Sequence, residues 1–469
     1  GSRTPIAVTI LVKKPDQSEK ASVYYHDIGD YLTREEKLAI IAKSENIYSP
    51  KIELSKMAPN DHGDWLNQRT DIFSTFLPLG DKDDKTNEHT VFAPFYSNGL
   101  KTQRDPWCYN YSKTGLESNI RGTIDFYNEQ RNEYNKQRID YCAAMFLNRD
   151  SRKISWTRAL IENVERNTEA SYTENGLRDA LYRPFCKQNL YFDRTLNEMS
   201  YQIPKLFPTS EQKNLVICVP AMKSGLPLVV ENIPDLHFNG DSQCFPLYFY
   251  ERKDYQQKTL FDTDDEYNRR DGITDFIQKE CRSLYGPRVT KEDIFYYVYG
   301  LLHSNDYREK FAADLKKALP RLPLVEKPAD FWSFSKSGRE LAELHLNYEN
   351  YSERRYDIKI TGEESGDFRV GKMSFLAKDE YTGIRYNSHI TITNIPLAAY
   401  DYVVNGKSAI EWIMERYQVK IDKESGIKND PNDWAEEQGK PRYILDLLLS
   451  VIAVSVETAG IVERLPGLD

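Results

Sequence analysis

Residues 5–13 read PIAVTILVK, a continuous apolar run with a basic end. Such a run suits a strand buried on both faces of an α/β sheet, because a half-exposed strand alternates apolar with polar positions. Ile6, Val8, Ile10 and Val12 would fill one face, and Ala7 and Leu11 the other. A strand of this kind needs neighbours, and nothing else near the N-terminus supplies them. The chain is therefore expected to open inside a domain, among its last strands. The run would lie at the edge of an incomplete sheet or as a displaced arm, exposing apolar surface and unpaired backbone groups unless it is covered.

The rest of the chain mixes periods. Residues 23–26 read as a second short strand. Thr33 then caps a helix to about residue 43, with Glu36 completing a capping box. Residues 60–87 are polar and irregular, a linker or surface excursion. Residues 91–96 form a strand candidate that ends at the turn Ser97-Asn98-Gly99. Residues 116–138 are a long polar helix with Ile120, Ile124 and Tyr127 at helical spacing, and 156–167 another. Residues 214–219 and 245–250 read as buried strands, and 273–284, 291–303 and 307–318 as helices closed by Pro320 and Pro323. From Tyr356 the pattern changes to short alternating strands, best at 368–375 and 389–393. Helices return at 408–417 and 443–457. The expected fold is mixed α/β and α+β, in four parts. These are a sheet remnant at 1–30, a helical linker at 31–90, a main subdomain at 91–345 and a smaller α+β subdomain at 346–469.

The 469 residues, 40% of them hydrophobic, suffice for two or three cores. The net charge of −9 argues against a simple basic nucleic-acid module, although what matters is the charge that faces the phosphates. Two acidic runs, Asp81 to Glu88 and Asp262 to Glu266, read as solvated turns. The cysteines (Cys108, Cys142, Cys186, Cys218, Cys244, Cys281) form no CxxC pair and no His-adjacent ligand set. With no signal peptide, they read as reduced thiols of a cytoplasmic protein. No stretch approaches about 18 consecutive apolar residues, so no membrane span is expected.

Catalytic signatures are missing. There is no Asn/Asp-Pro-Pro-aromatic tetrapeptide, no Gly-rich strand-to-helix turn for S-adenosylmethionine and no Walker A loop. Gly406-Lys407-Ser408 has only the ending of that loop, since Asp401 stands where its leading Gly belongs; it reads as a turn opening the helix at Ser408. Pro234-Asp235 with Glu251-Arg252-Lys253 fits the loose PD…ExK nuclease pattern. That pattern is short and common by chance, and Glu251 falls past the end of its strand. The seven His are scattered and assemble no triad.

Several longer runs are similar to one family. Tyr25-His26-Asp27-Ile28-Gly29-Asp30-Tyr31-Leu32, Leu100-Lys101-Thr102-Gln103-Arg104-Asp105-Pro106-Trp107 and Leu181-Tyr182-Arg183-Pro184-Phe185 with Tyr191-Phe192-Asp193 come first. Pro234-Asp235-Leu236-His237, Gln243-Cys244-Phe245-Pro246-Leu247-Tyr248, Asp293 to Gly300 (DIFYYVYG), Leu319 to Pro323 (LPRLP), Asn405 to Trp412 (NGKSAIEW) and Asn429 to Asp433 (NDPND) follow in order. Together they resemble the C-terminal specificity region of type ISP restriction-modification enzymes, with the motif at 181–185 and 191–193 shared more widely with type IIG enzymes. The resemblance covers essentially the whole chain. It implies that 1–30 are the last strands of a methyltransferase domain and that the remainder is a non-catalytic target-recognition region for double-stranded DNA. The parent would use S-adenosylmethionine, ATP and Mg to methylate adenine N6 and to cleave unmodified DNA. This fragment would hold no cofactor or metal, and its partners would be DNA and the parent's other domains, with no membrane. The alternative is a protein-interaction module or stand-alone remnant, which the acidic charge favours.

Two clusters have the chemistry to read DNA. Asn98, Lys101, Thr102, Gln103 and Arg104 offer amides for adenine and cations for guanine or phosphate; the alternative is an ordinary polar turn, with Arg104 and Asp105 as solvated neighbours. Arg178, Tyr182, Arg183, Lys187, Gln188 and Arg194 alternate basic with aromatic residues as a backbone grip does; the alternative is that Arg183 forms a structural ion pair, with Asp193 as the candidate partner. Lys223 and Ser224, beside Gly225, form a third candidate.

Overall fold

In the computed structural model the described residues are 7–13, 21–29, 32–81, 83–84, 87–92, 96–137, 142–221, 225–253, 266–378 and 380–468. Two compact units divide at Arg69/Thr70. Residues 70–90 join the larger unit because Leu77–Pro78 pairs with Arg321–Leu322 and the Thr70 hydroxyl donates to Asp314.

In Gly1–Arg69 the strand Val23–Tyr25 pairs antiparallel with Ser55–Met57. The helix Arg34–Ser44 begins at Thr33 with the expected capping box: the Glu36 amide donates to the Thr33 hydroxyl and the Thr33 amide to the Glu36 carboxylate. The expected strand at 5–13 is a correction. Its described part, 7–13, is irregular and in water, with Val8 83% and Leu11 89% exposed, while residues 5 and 6 lie outside the described residues. Among the described residues of this unit no strand pairs with it, and apolar content alone does not make it a strand. Among the described residues of this unit only Ser44 is buried.

Thr70–Asp469 holds a continuous apolar core. Two four-stranded sheets matter for function. One runs Ile233–Pro234, Leu177–Arg183, Cys186–Tyr191, Tyr109–Asn110, with the first pair parallel and the others antiparallel. The other runs Ser97–Asn98, Ser242–Pro246, Val216–Pro220, Leu228–Val230, all antiparallel. The expected turn at Ser97-Asn98 is thus a strand, because its backbone is taken up by Gln243 and Cys244. The expected single strand at 245–250 is two strands in different sheets, Ser242–Pro246 and Tyr248–Arg252. A third four-stranded sheet collects Lys359–Thr361, Ser374–Phe375, Ile384–Arg385 and Thr391–Thr393.

Lys291–His303, capped by Thr290 and Asp293, forms as expected. It packs against Pro328–Leu346, a helix absent from the sequence reading. The approach is so close that a Cβ on Gly300 would meet the Phe334 carbonyl oxygen at 2.3 Å, and one on Gly338 that of Tyr296 at 1.9 Å. Tyr443–Glu463, 21 residues with hydropathy 2.0, is long and apolar enough to cross a membrane, against the expectation that no stretch would be; 72% of its apolar window lies inside the protein, as in a core helix.

Candidate nucleic-acid interface

The hairpin Leu177–Arg183/Cys186–Tyr191 turns at Pro184 and Phe185, with Phe185 at φ 57°. Its polar side chains mostly face protein. Arg183 donates from Nη1 to Asp235 Oδ1 at 2.7 Å and lies over the Tyr182 ring at 3.9 Å. The ion-pair alternative for Arg183 is therefore realised, with Asp235 in place of Asp193. Asp193 instead accepts from the amides of Thr195 and Leu196. Asp235 also accepts from Tyr109 Oη at 3.2 Å and the His237 amide at 2.8 Å. Burial pushes its carboxyl up to about 6, against the pull of Arg183. Tyr182 donates to Asp105 at 3.0 Å. Arg178 reaches the carbonyls of Phe207 and Thr209. Lys187 pairs with Glu349 at 2.8 Å and lines a cavity of about 140 Å³ with Asp179, Trp434 and Tyr443. Gln188 is buried and accepts from Asn429.

In the first cluster Arg104 is 2% exposed. It donates to the carbonyls of Ser155, Thr102 and Leu196 and to the Thr157 hydroxyl, with Glu198 at 3.9 Å. Reading it as a solvated turn charge is corrected: the guanidinium ties three segments together inside the protein. Thr102 is buried and donates to Asp105.

The outward positions are few. Gln103 is exposed in a left-handed conformation, φ 59°. Arg194 is exposed and Lys101 half-buried. Asn98 is half-buried and bonded to Gln243. The backbone beneath them is fixed, since Leu100 and Lys101 donate to the carbonyls of Pro234 and Met199. The loop after Asp235 adds His237 and Asp241, both exposed, with Nδ1 and Oδ1 at 2.7 Å. The sequence assigned no site role to His237, Gln243 or Asp241. Lys223 and Ser224 lie outside the described residues.

The two catalytic decoys dissolve. Asp235 is buried on Arg183 while Glu251 is exposed and bonded to Arg270 at 3.2 Å. Ser408 is a helix N-cap whose hydroxyl accepts from the Glu411 amide, and Lys407 pairs with Glu415. Among the described residues no group of three His, Cys, Asp or Glu could hold a metal ion.

The model of the Type ISP C-terminal specificity domain matches residues 90–447. No curated protein matches. Among solved structures, the chain is similar to a nuclease-deletion mutant of the Type ISP restriction-modification enzyme LlaGI in complex with a DNA substrate mimic: 37% identity, TM-score 0.82, covering 97% of this chain and 40% of that one. It is also similar to the ATP-dependent Type ISP restriction-modification enzyme LlaBIII bound to DNA, with 35% identity, TM-score 0.82 and coverage of 98% and 28%. A DrdV–DNA complex follows at 28% identity, TM-score 0.77 and coverage of 96% and 43%. The chain thus spans less than half the length of each. The family match over residues 90–447, joined to a fold shared along nearly the whole chain, means that this chain belongs to the Type ISP C-terminal specificity domain family.

Proposed function

We propose that this chain reads double-stranded DNA by sequence, as the specificity region of a longer, ATP-dependent restriction-modification enzyme that methylates adenine N6 and cleaves unmodified DNA. The observation that carries the reading is the likeness of nearly the whole chain to two enzymes whose structures are complexes with DNA or a DNA mimic. Lys101, Gln103 and Arg194 are the contacts the geometry favours, with Asn98 beside them; Lys223 and Ser224 remain candidates. Thr102, Arg104, Arg178, Tyr182, Arg183, Lys187 and Gln188 are instead engaged by partners within the protein. The net charge of −9 is no obstacle, because contacts to phosphate depend on local cations.

The parent's S-adenosylmethionine, ATP and Mg belong to its other parts, and its place of action is the cytoplasm. Two observations support placing those groups outside this chain: Gly406-Lys407-Ser408 is spent on a helix cap, and among the described residues no group of three His, Cys, Asp or Glu could hold a metal ion. Calorimetric titration of the chain with S-adenosylmethionine is expected to show no heat of binding; micromolar affinity would count against this assignment.

A gel shift on random duplex DNA across a salt series tests the reading. Contacts to several phosphates predict affinity that falls steeply, linearly in log salt. Binding that ignores salt, or no binding, favours the protein-interaction alternative.

A further inference from the structure

Asn98 and Gln243 stand directly opposite one another on neighbouring antiparallel strands. The adjoining pair, Ser97 and Cys244, is buried, so strand alternation sends the two amides to the other face. There Gln243 Nε2 donates to Asn98 Oδ1 and also lies 3.5 Å from the Asp241 carbonyl oxygen. Both residues are half-buried, open on one side.

We infer that these two amides act as one base-reading unit that takes the major-groove edge of an adenine. The inference rests on the DNA reading above. Two amides that share one hydrogen bond leave an N–H₂ on one partner and a carbonyl oxygen on the other, whichever way the pair is oriented. That is one donor and one acceptor, one on each residue. Adenine offers the complement, N7 as acceptor and N6–H₂ as donor. Guanine offers two acceptors, cytosine a donor alone, and thymine an acceptor with a methyl group. The mutual bond also spares each amide the freedom it would otherwise lose on binding.

The platform is stiff at this point. The Gly99 amide donates to the Ser242 carbonyl at 3.1 Å, and a Cβ on Gly99 would meet the Asp235 carbonyl oxygen at 2.4 Å. Only glycine lets the strand lie this close to its neighbour.

The experiment is selection from a randomised duplex pool by the full chain and its variants, followed by sequencing of the bound DNA, with melting curves run in parallel. The unchanged chain is expected to select a consensus containing an adenine. Asn98→Ala and Gln243→Ala should each lose preference at that same position by about 5- to 150-fold, the range that corresponds to about 1–3 kcal/mol. Asn98→Asp should move the preference there toward cytosine, whose N4 a carboxylate accepts from. If the alanine variants fail to fold, Asn98→Ser and Gln243→Glu carry the test. Variants that keep the consensus, or that relax two different positions, overturn the pair while leaving the DNA reading intact. An unchanged chain that selects no consensus overturns the DNA reading, and this inference with it.

Discussion

The loop 98–103 and the hairpin Leu177–Arg183/Cys186–Tyr191 carry the same kinds of side chain and use them in opposite ways. The hairpin turns Arg183 onto Asp235, Tyr182 onto Asp105 and Lys187 onto Glu349. The loop leaves Gln103 exposed and Lys101 half-exposed, while Leu100, Thr102 and the following Arg104 are drawn inside. What separates the two is the presence of a partner across the fold. A buried guanidinium must find a carboxylate or carbonyl, since an unpaired buried charge is far costlier than a paired one. Once paired, it is no longer available to a phosphate.

The sharpest way to break this contrast is Arg183→Ala. It leaves the Asp235 carboxylate, buried and next to Tyr109, without its cation, and should cost about 3–5 kcal/mol. Urea denaturation reads this directly, and a loss below about 1 kcal/mol would put Arg183 on the outward side.

The inward side also predicts a pH dependence. Burial holds His303 down at about 4, with Nδ1 facing the Tyr299 carbonyl. Between its ordinary 6.5 and about 4, the unfolded chain binds a proton there that the folded chain refuses. Its contribution to stability is therefore lost as the pH falls through that window. Asp235 slopes the other way. Its carboxyl is raised to about 6, so its contribution is present at low pH and lost as the pH rises from 3.8 through about 6. His303→Gln removes the first slope. Relative to the unchanged chain, the variant should gain stability on acidification, on the order of 3 kcal/mol over the full window. Parallel denaturation curves at pH 7 and pH 4.5 that keep a constant difference would rule this out.

On the outward side, Lys101→Ala and Arg194→Ala should each change stability by no more than about 0.5 kcal/mol. Each should weaken binding to all duplexes alike and lower the salt slope by about 1. A variant that melts early, with its salt slope intact, would move that residue to the inward group. The smallest expected effect is on removing residues 1–69 by limited proteolysis. The melting of 70–469 should not shift, because the described part of 1–69 contributes no buried apolar side chain.

What the sequence disclosed follows from range. Caps are local, so Thr33 with Glu36 could be placed from a three-residue spacing, and Ser408 as a helix start. The helix Lys291–His303 carried its own cap and apolar stripe. The hairpin's strands were missed because their polar residues hide the alternation and the turn uses Phe185 at positive φ where a Gly is the usual signal. The candidate site was legible as chemistry but not as direction. Arg183 finds its partner 52 residues away and Arg104 one of its carbonyls 92 residues away, separations at which no local pattern tells inward from outward.

One detail of the loop bears on how such a protein changes over generations. The strand and loop at 97–102 are held by main-chain atoms: the amides of Gly99, Leu100 and Lys101 reach Ser242, Pro234 and Met199. None of those bonds uses the side chains of Asn98, Lys101 or Gln103. On the proposed reading of these three side chains as DNA contacts, mutation there explores new target sequences at little risk to folding, whereas drift at Gly99 or Arg104 is closed off. A lineage under pressure to alter its target has its cheapest route through three codons.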